Sequence, residues 1–137
     1  AERRERSTLL AVHFENPSGQ NSPTYWLEIS ANESARATGL MYRKEMDSDR
    51  GMLFIFDKPE LHSFYMKNTF ISLDMIFLDE KHTVVGIIEN VPVLNEEKRS
   101  PGKLSQYVIE LNAGQAKKAG IKEGSVAKYA RALPKAS

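Results

Sequence analysis

The sequence predicts a mainly β fold, a single sandwich or barrel-like domain with two short helices, and three observations support this. Seven or eight short runs rich in β-branched and aromatic residues recur along the chain, separated by Asn, Pro, Gly and Ser clusters that favour turns. Only two stretches carry helix start and stop signals, too little helix to cover an open parallel sheet. The length of 137 residues suits one core.

Taken in order, residues 8–14 and 24–30 read as strands joined by a long hairpin-like connection, NPSGQNSP. Ser30 and Glu33 stand at capping-box spacing before a stretch that meets Gly39, so 31–38 is predicted helical. Segments 52–56, 63–66 and 73–78 follow as strands, and 83–88 returns as a hairpin across the polar Asp79–His82 turn. A further strand ends near Val93, and the polar segment 94–105 reads as an exposed loop. Strand 106–111 resumes the sheet, Asn112 and Gln115 open a second short helix that ends at Gly120, and 125–131 closes the fold. One domain spans 1–137, with a core at about 24–130 and flexible ends at 1–7 and 132–137.

Composition removes several function classes. The 19 Lys and Arg against 18 Asp and Glu leave a charge of +1, so no long-range field draws in nucleic acid, and none is expected as a partner. Zero cysteines exclude disulfides, thiolate metal sites and cysteine nucleophiles. His13, His62 and His82 lack metal-ligand spacing, and of the methionines at 41, 46, 52, 66 and 75, Met41, Met52, Met66 and Met75 lie among aromatic and aliphatic residues and read as core filling, so no metal or cofactor is predicted. There is no nucleophile elbow, phosphate-cradling loop or dinucleotide fingerprint. The basic bias of the last segment reads as a solvated face. With no apolar run of spanning length, membrane contact is expected only through an N-terminal signal or anchor removed ahead of Ala1.

Two carboxylates stand out. In 73–78, alternation places Leu73, Met75 and Phe77 on one face and Asp74, Ile76 and Leu78 on the other, so Asp74 lies in an apolar strand and needs a counterpart. Lys67, Arg43, Arg50 and the backbone amides of a bend at Asn68 are the candidates. Glu110 poses the same question on the strand that carries Tyr107, Ile109 and Leu111. The expected site is one polar pocket at the end of the sheet, made by Arg43, Lys67, Asn68, Thr69, Asp74 and Glu110, with Tyr65 as an aromatic wall. The alternative is that Asp74 pins a loop as a structural ion pair while Glu110 points to water.

The segments RATGLMYR, GMLFIF, FYMKNTFISLD followed by MIFLD, and ELNAG occur in this order between Arg36 and Gly114. Together they resemble the domain of unknown function 192 family, over roughly Thr24 to Tyr129. The resemblance implies a compact β fold with short helices and an exported, periplasmic or cell-envelope setting in bacteria, and it brings no established activity. Where many relatives carry tryptophan before the methionine of the third segment, this chain has Tyr65.

The functional expectation is an exported envelope domain that binds a small polar or anionic ligand or a glycan. Two alternatives compete with it: a hydrolase-type enzyme using Asp74 and Glu110 as acid and base, and an interaction module that docks through a sheet edge or loop 94–105.

Overall fold

A computed structural model describes residues 8–137, so the flexible end expected at 1–7 lies outside the described residues. Seven strands and two helices follow one another: β1 Leu10–Glu15, β2 Tyr25–Ser30, α1 Glu33–Thr38, β3 Arg50–Glu60, β4 Leu73–Leu78, β5 Val84–Val91, β6 Ser105–Asn112, α2 Gln115–Lys118 and β7 Val126–Tyr129. They form one mainly β architecture, a curled sheet of order β5-β4-β6-β3-β2-β1-β7 that makes a half-barrel. The two edges meet at one end, where Thr83 bridges Val126 and Val84 N–H donates to the Ser125 carbonyl at 2.8 Å.

Side-chain alternation sorts the apolar residues into two clusters on opposite faces of this sheet. The concave face is filled from every strand, with Phe14, Tyr25, Leu27, Leu53, Ile76 and Ile109 among its buried members. The convex face of β3, β6 and β4 carries Met52, Phe54, Met75, Phe77 and Val108, and the connecting segments lay Leu40, Met66 and Ile71 over them. All six residues of β4 are therefore buried, with the alternation expected from the sequence. Met52, Met66 and Met75 fill the convex cluster.

Most pairings are antiparallel, but β2 and β3 run parallel, with Trp26 opposite Arg50 and Ser30 opposite Phe54. A parallel pair needs a crossover, and α1 with residues 39–49 provides it across the convex face. Gly39, at φ 50°, ends α1 as predicted, and its Cα lies so close to the Phe54 ring that an added Cβ would sit 3.2 Å from it.

Four local expectations are corrected. The cap of α1 is Asn32, whose side chain accepts from Ala35 N–H at 2.8 Å, and not Ser30, which is buried with its hydroxyl toward Met52 Sδ. Helix α2 begins at Gly114 with no cap from its own side chains, so the Asn112–Gln115 box does not form. Segment 63–66 is no strand: only Phe64 pairs, with Arg99, and the 94–99 half of the expected exposed loop holds it in place. Residues 132–137 are tied down, because Ser137 N–H donates to the Ala31 carbonyl and Leu133 and Ala136 pack against the concave cluster.

Candidate functional site

Asp74 is fully buried on the concave face, and its counterpart is backbone. Oδ2 accepts from Gly114 N–H at 3.0 Å and Ala116 N–H at 2.9 Å, and Oδ1 accepts from Asn90 N–H at 2.9 Å. Two of these donors are orphan amides at the start of α2, so Asp74 caps that helix from another strand. The charge-free solution anticipated from sequence holds in kind, but the amides are not those of the Asn68 bend. Among the described residues no cation pairs with Asp74, and Arg43 is taken up elsewhere by a two-pronged bond to Glu28.

Glu110 faces the other way. In the β4–β6 register Asp74 pairs with Leu111 while Met75 pairs with Glu110, which puts the two carboxyls on opposite faces of the sheet. They share no cleft, and the acid–base pair expected between them is withdrawn. Glu110 lies in a convex-face row between Met52 and Met75 and is only 4% exposed, so it does not point to bulk water. Among the described residues no group hydrogen-bonds or ion-pairs with its carboxyl, and burial alone pushes its pKa up to about 8.

Above this carboxyl is a cavity of ≈ 290 Å³, lined by Glu110 and Leu73 from the sheet, by residues 36–41 at the end of α1, and by Phe54, Phe56, Ser63, Phe64, Tyr65 and Thr69. Phe64 organises the wall, with its ring edge-on to Phe54 at 4.8 Å, to Phe77 at 5.9 Å and to Phe56 at 6.1 Å. The loop bearing it is fixed from both sides. Phe64 exchanges two backbone bonds with Arg99, Met66 N–H donates to the Asn95 carbonyl, and Tyr42 N–H donates to the Asn68 carbonyl at 2.7 Å. Arg36 lies at the rim with its guanidinium over the Phe56 ring, donating to the Ile55 and Ser137 carbonyls. His62 stacks on Phe56 at 3.6 Å, and burial lowers its pKa.

Three of the expected site residues meet here: Tyr65, Thr69 and Glu110. The others do not. Asp74 is on the far face, Arg43 serves Glu28, and Lys67 is exposed and contributes only its carbonyl, to which Thr69 Oγ1 donates at 3.0 Å. Asn68 makes the expected bend, with φ 53° and its side-chain amide on Tyr42 Oη. Sequence reasoning did not assign Arg36, Phe56 and Phe64 to the site. Among the described residues no three His, Asp or Glu side chains gather to hold a metal ion.

The profile of the domain of unknown function 192 family, described as Uncharacterized ACR, matches residues 14–129. The chain belongs to this family. A Sinorhizobium meliloti protein, provisionally described as a transcription regulator, has the same fold at a TM-score of 0.85 and 34% identity, covering 89% of this chain and 94% of its own. A protein of unknown function from Novosphingobium aromaticivorans follows at 0.81 and 30%, covering 88% and 84%. No curated protein matches the chain significantly. The segments by which the sequence resembles the domain of unknown function 192 family supply every residue lining the cavity except Ser63.

Proposed function

We propose that the protein is a small-molecule binding module of the bacterial cell envelope, and that its ligand enters the aromatic cavity above Glu110. The observation that carries this reading is the buried carboxyl without a partner. An unsatisfied polar group inside a protein costs about 1–3 kcal/mol, more for a charge, and a bound ligand that supplies the missing bond recovers part of that cost. Aromatic walls around a few convergent polar groups are the usual make-up of a small-ligand site. The lining turns the expected ligand from a purely polar or anionic molecule, or a glycan held by Lys67 and Asn68, toward one with an apolar body and a polar head. A sugar ring with an apolar face also meets that description. The envelope location rests on the sequence resemblance and is checked by fractionating cells that express the full-length gene product.

The test is ligand-induced thermal stabilisation, since a ligand bound only by the native state raises its stability by about 2.7 kcal/mol at a hundredfold excess over Kd. Ser63→Trp, at an exposed position on the cavity lining, should abolish the shift while leaving the unliganded melting temperature nearly unchanged. A compound that stabilises wild type and Ser63→Trp equally is bound elsewhere, and the cavity reading then fails.

A further inference from the structure

The convex face offers an internal comparison. Glu28 and Glu110 stand on one cross-strand row with Met52 between them, Glu28 opposite Met52 on β2 and Glu110 opposite it on β6. Glu28 is satisfied within the chain, because hydrogen bonds from Arg43 hold its carboxyl below the ordinary value. For Glu110 no cation of the described residues comes within ion-pair range. The basic residue of the cavity lining, Arg36, donates to two backbone carbonyls.

The surroundings discriminate among partners from outside. An anion could accept one hydrogen bond from Glu110 while that carboxyl is protonated, but the guanidinium of Arg36 is directed at two backbone carbonyls and forms no ion pair with it. A metal ion needs several oxygen ligands, Glu110 is the one carboxylate of the cavity lining, and among the described residues no three His, Asp or Glu side chains gather. An ammonium group fits, because it needs one carboxylate and is attracted to aromatic rings such as those of Phe64 and Tyr65 in the lining. Buried Thr69 adds an acceptor, since its hydroxyl proton goes to the Lys67 carbonyl and leaves oxygen lone pairs free.

We infer that the ligand is a small amphipathic primary amine, its ammonium held by the Glu110 carboxylate and Thr69 Oγ1 and its apolar body lying against Phe64 and Tyr65. This rests on the cavity reading above and deepens it. The proton balance follows from burial, which keeps Glu110 protonated in the free protein below about pH 8. Binding joins the ammonium to an ionised carboxylate, and the Glu110 proton leaves to solvent. The other titratable or charged groups around the site are Arg36 on α1, His62 and Tyr65 on the wall segment, and the Glu28–Arg43 pair beyond Met52; His62 is shifted toward its neutral form.

The experiment is titration calorimetry at pH 6.5 and 7.5, in two buffers of different ionisation heat, with three probes that share one ring: 2-phenylethylamine, 2-phenylethanol and 3-phenylpropanoate. At pH 7.5 the amine should bind wild type about 30-fold more tightly than the alcohol, the worth of a charge-assisted bond. It should release close to one proton at pH 6.5, and its affinity should rise roughly tenfold between the two pH values. In Glu110→Gln the amine should fall to within about threefold of the alcohol. Tyr65→Ala, at the cavity mouth, should weaken both probes, and Ser63→Trp should bind neither. Alcohol or carboxylate binding as tightly as the amine, or an amine preference that survives in Glu110→Gln, overturns the amine inference while the cavity stands. Failure of all three probes to bind wild type overturns both.

Discussion

At the residue scale, Glu110 makes folding stability depend on pH. The folded protein holds this proton up to about pH 8, whereas the unfolded chain releases it near the ordinary value of 4.5. Between these limits the native state binds more protons, so the contribution is fully present below about pH 4.5 and is lost as pH rises toward 8. At 1.36 kcal/mol per unit the loss amounts to about 5 kcal/mol over that window. His62 and His82, both shifted down by burial, slope the other way in acid, so the clean measurement is wild type against Glu110→Gln. Denaturant melts from pH 4.5 to 8.5 should show wild type losing stability relative to the variant; parallel profiles would mean that the carboxyl is hydrated. The sequence showed that Asp74 and Glu110 each needed an explanation, because both interrupt apolar alternation. It did not show that they face apart, because that depends on which residue of β6 pairs with which residue of β4, a register no local pattern encodes.

At the element scale, α2 is four residues long and depends on Asp74 for its start. A helix this short does not hold itself together in isolation. Asp74→Asn keeps the shape but turns an acceptor-only group into one with two donors aimed at N–H groups. Stability should fall by about 2–4 kcal/mol, and the amides of Gly114, Ala116 and Asn90 should lose hydrogen-exchange protection first. Unchanged exchange at these three amides would show that the cap is dispensable. The sequence placed both helices within a few residues and named Gly39 as a stop, because such signals are local. It misassigned both caps because the real ones depend on context: Asn32 takes the place of Ser30, whose side chain is drawn into the core, and α2 borrows an acceptor from β4. Segment 63–66 has the composition of a strand, yet its backbone partners lie in 94–99, and it folds as a braced loop.

At the scale of the whole molecule, the mainly β class was legible because strand number and scarcity of helix are properties of the chain itself. The order of strands was not, since β3 pairs with β6 and β1 with β7, partners far away in sequence. Closure is uneven. Central β6 is paired along both edges, whereas β5 and β7 meet through the Thr83–Val126 bridge and the neighbouring bonds of Val84, Gly124 and Ala127. Native-state exchange should open this seam at lower free energy than β6, with Val84, Gly124 and Ala127 amides exchanging well before those of Val108 and Ile109. Uniform protection around the ring would mean that the seam is as strong as the ladders.

The back-to-back placement of the two carboxyls makes the sheet a dividing wall. On one side an acid ties strand to helix through fixed amides, and on the other an acid borders the cavity without a partner among the described residues, with one layer of backbone separating the two. Substitutions in the cavity lining therefore need not disturb the bonds by which Asp74 anchors α2.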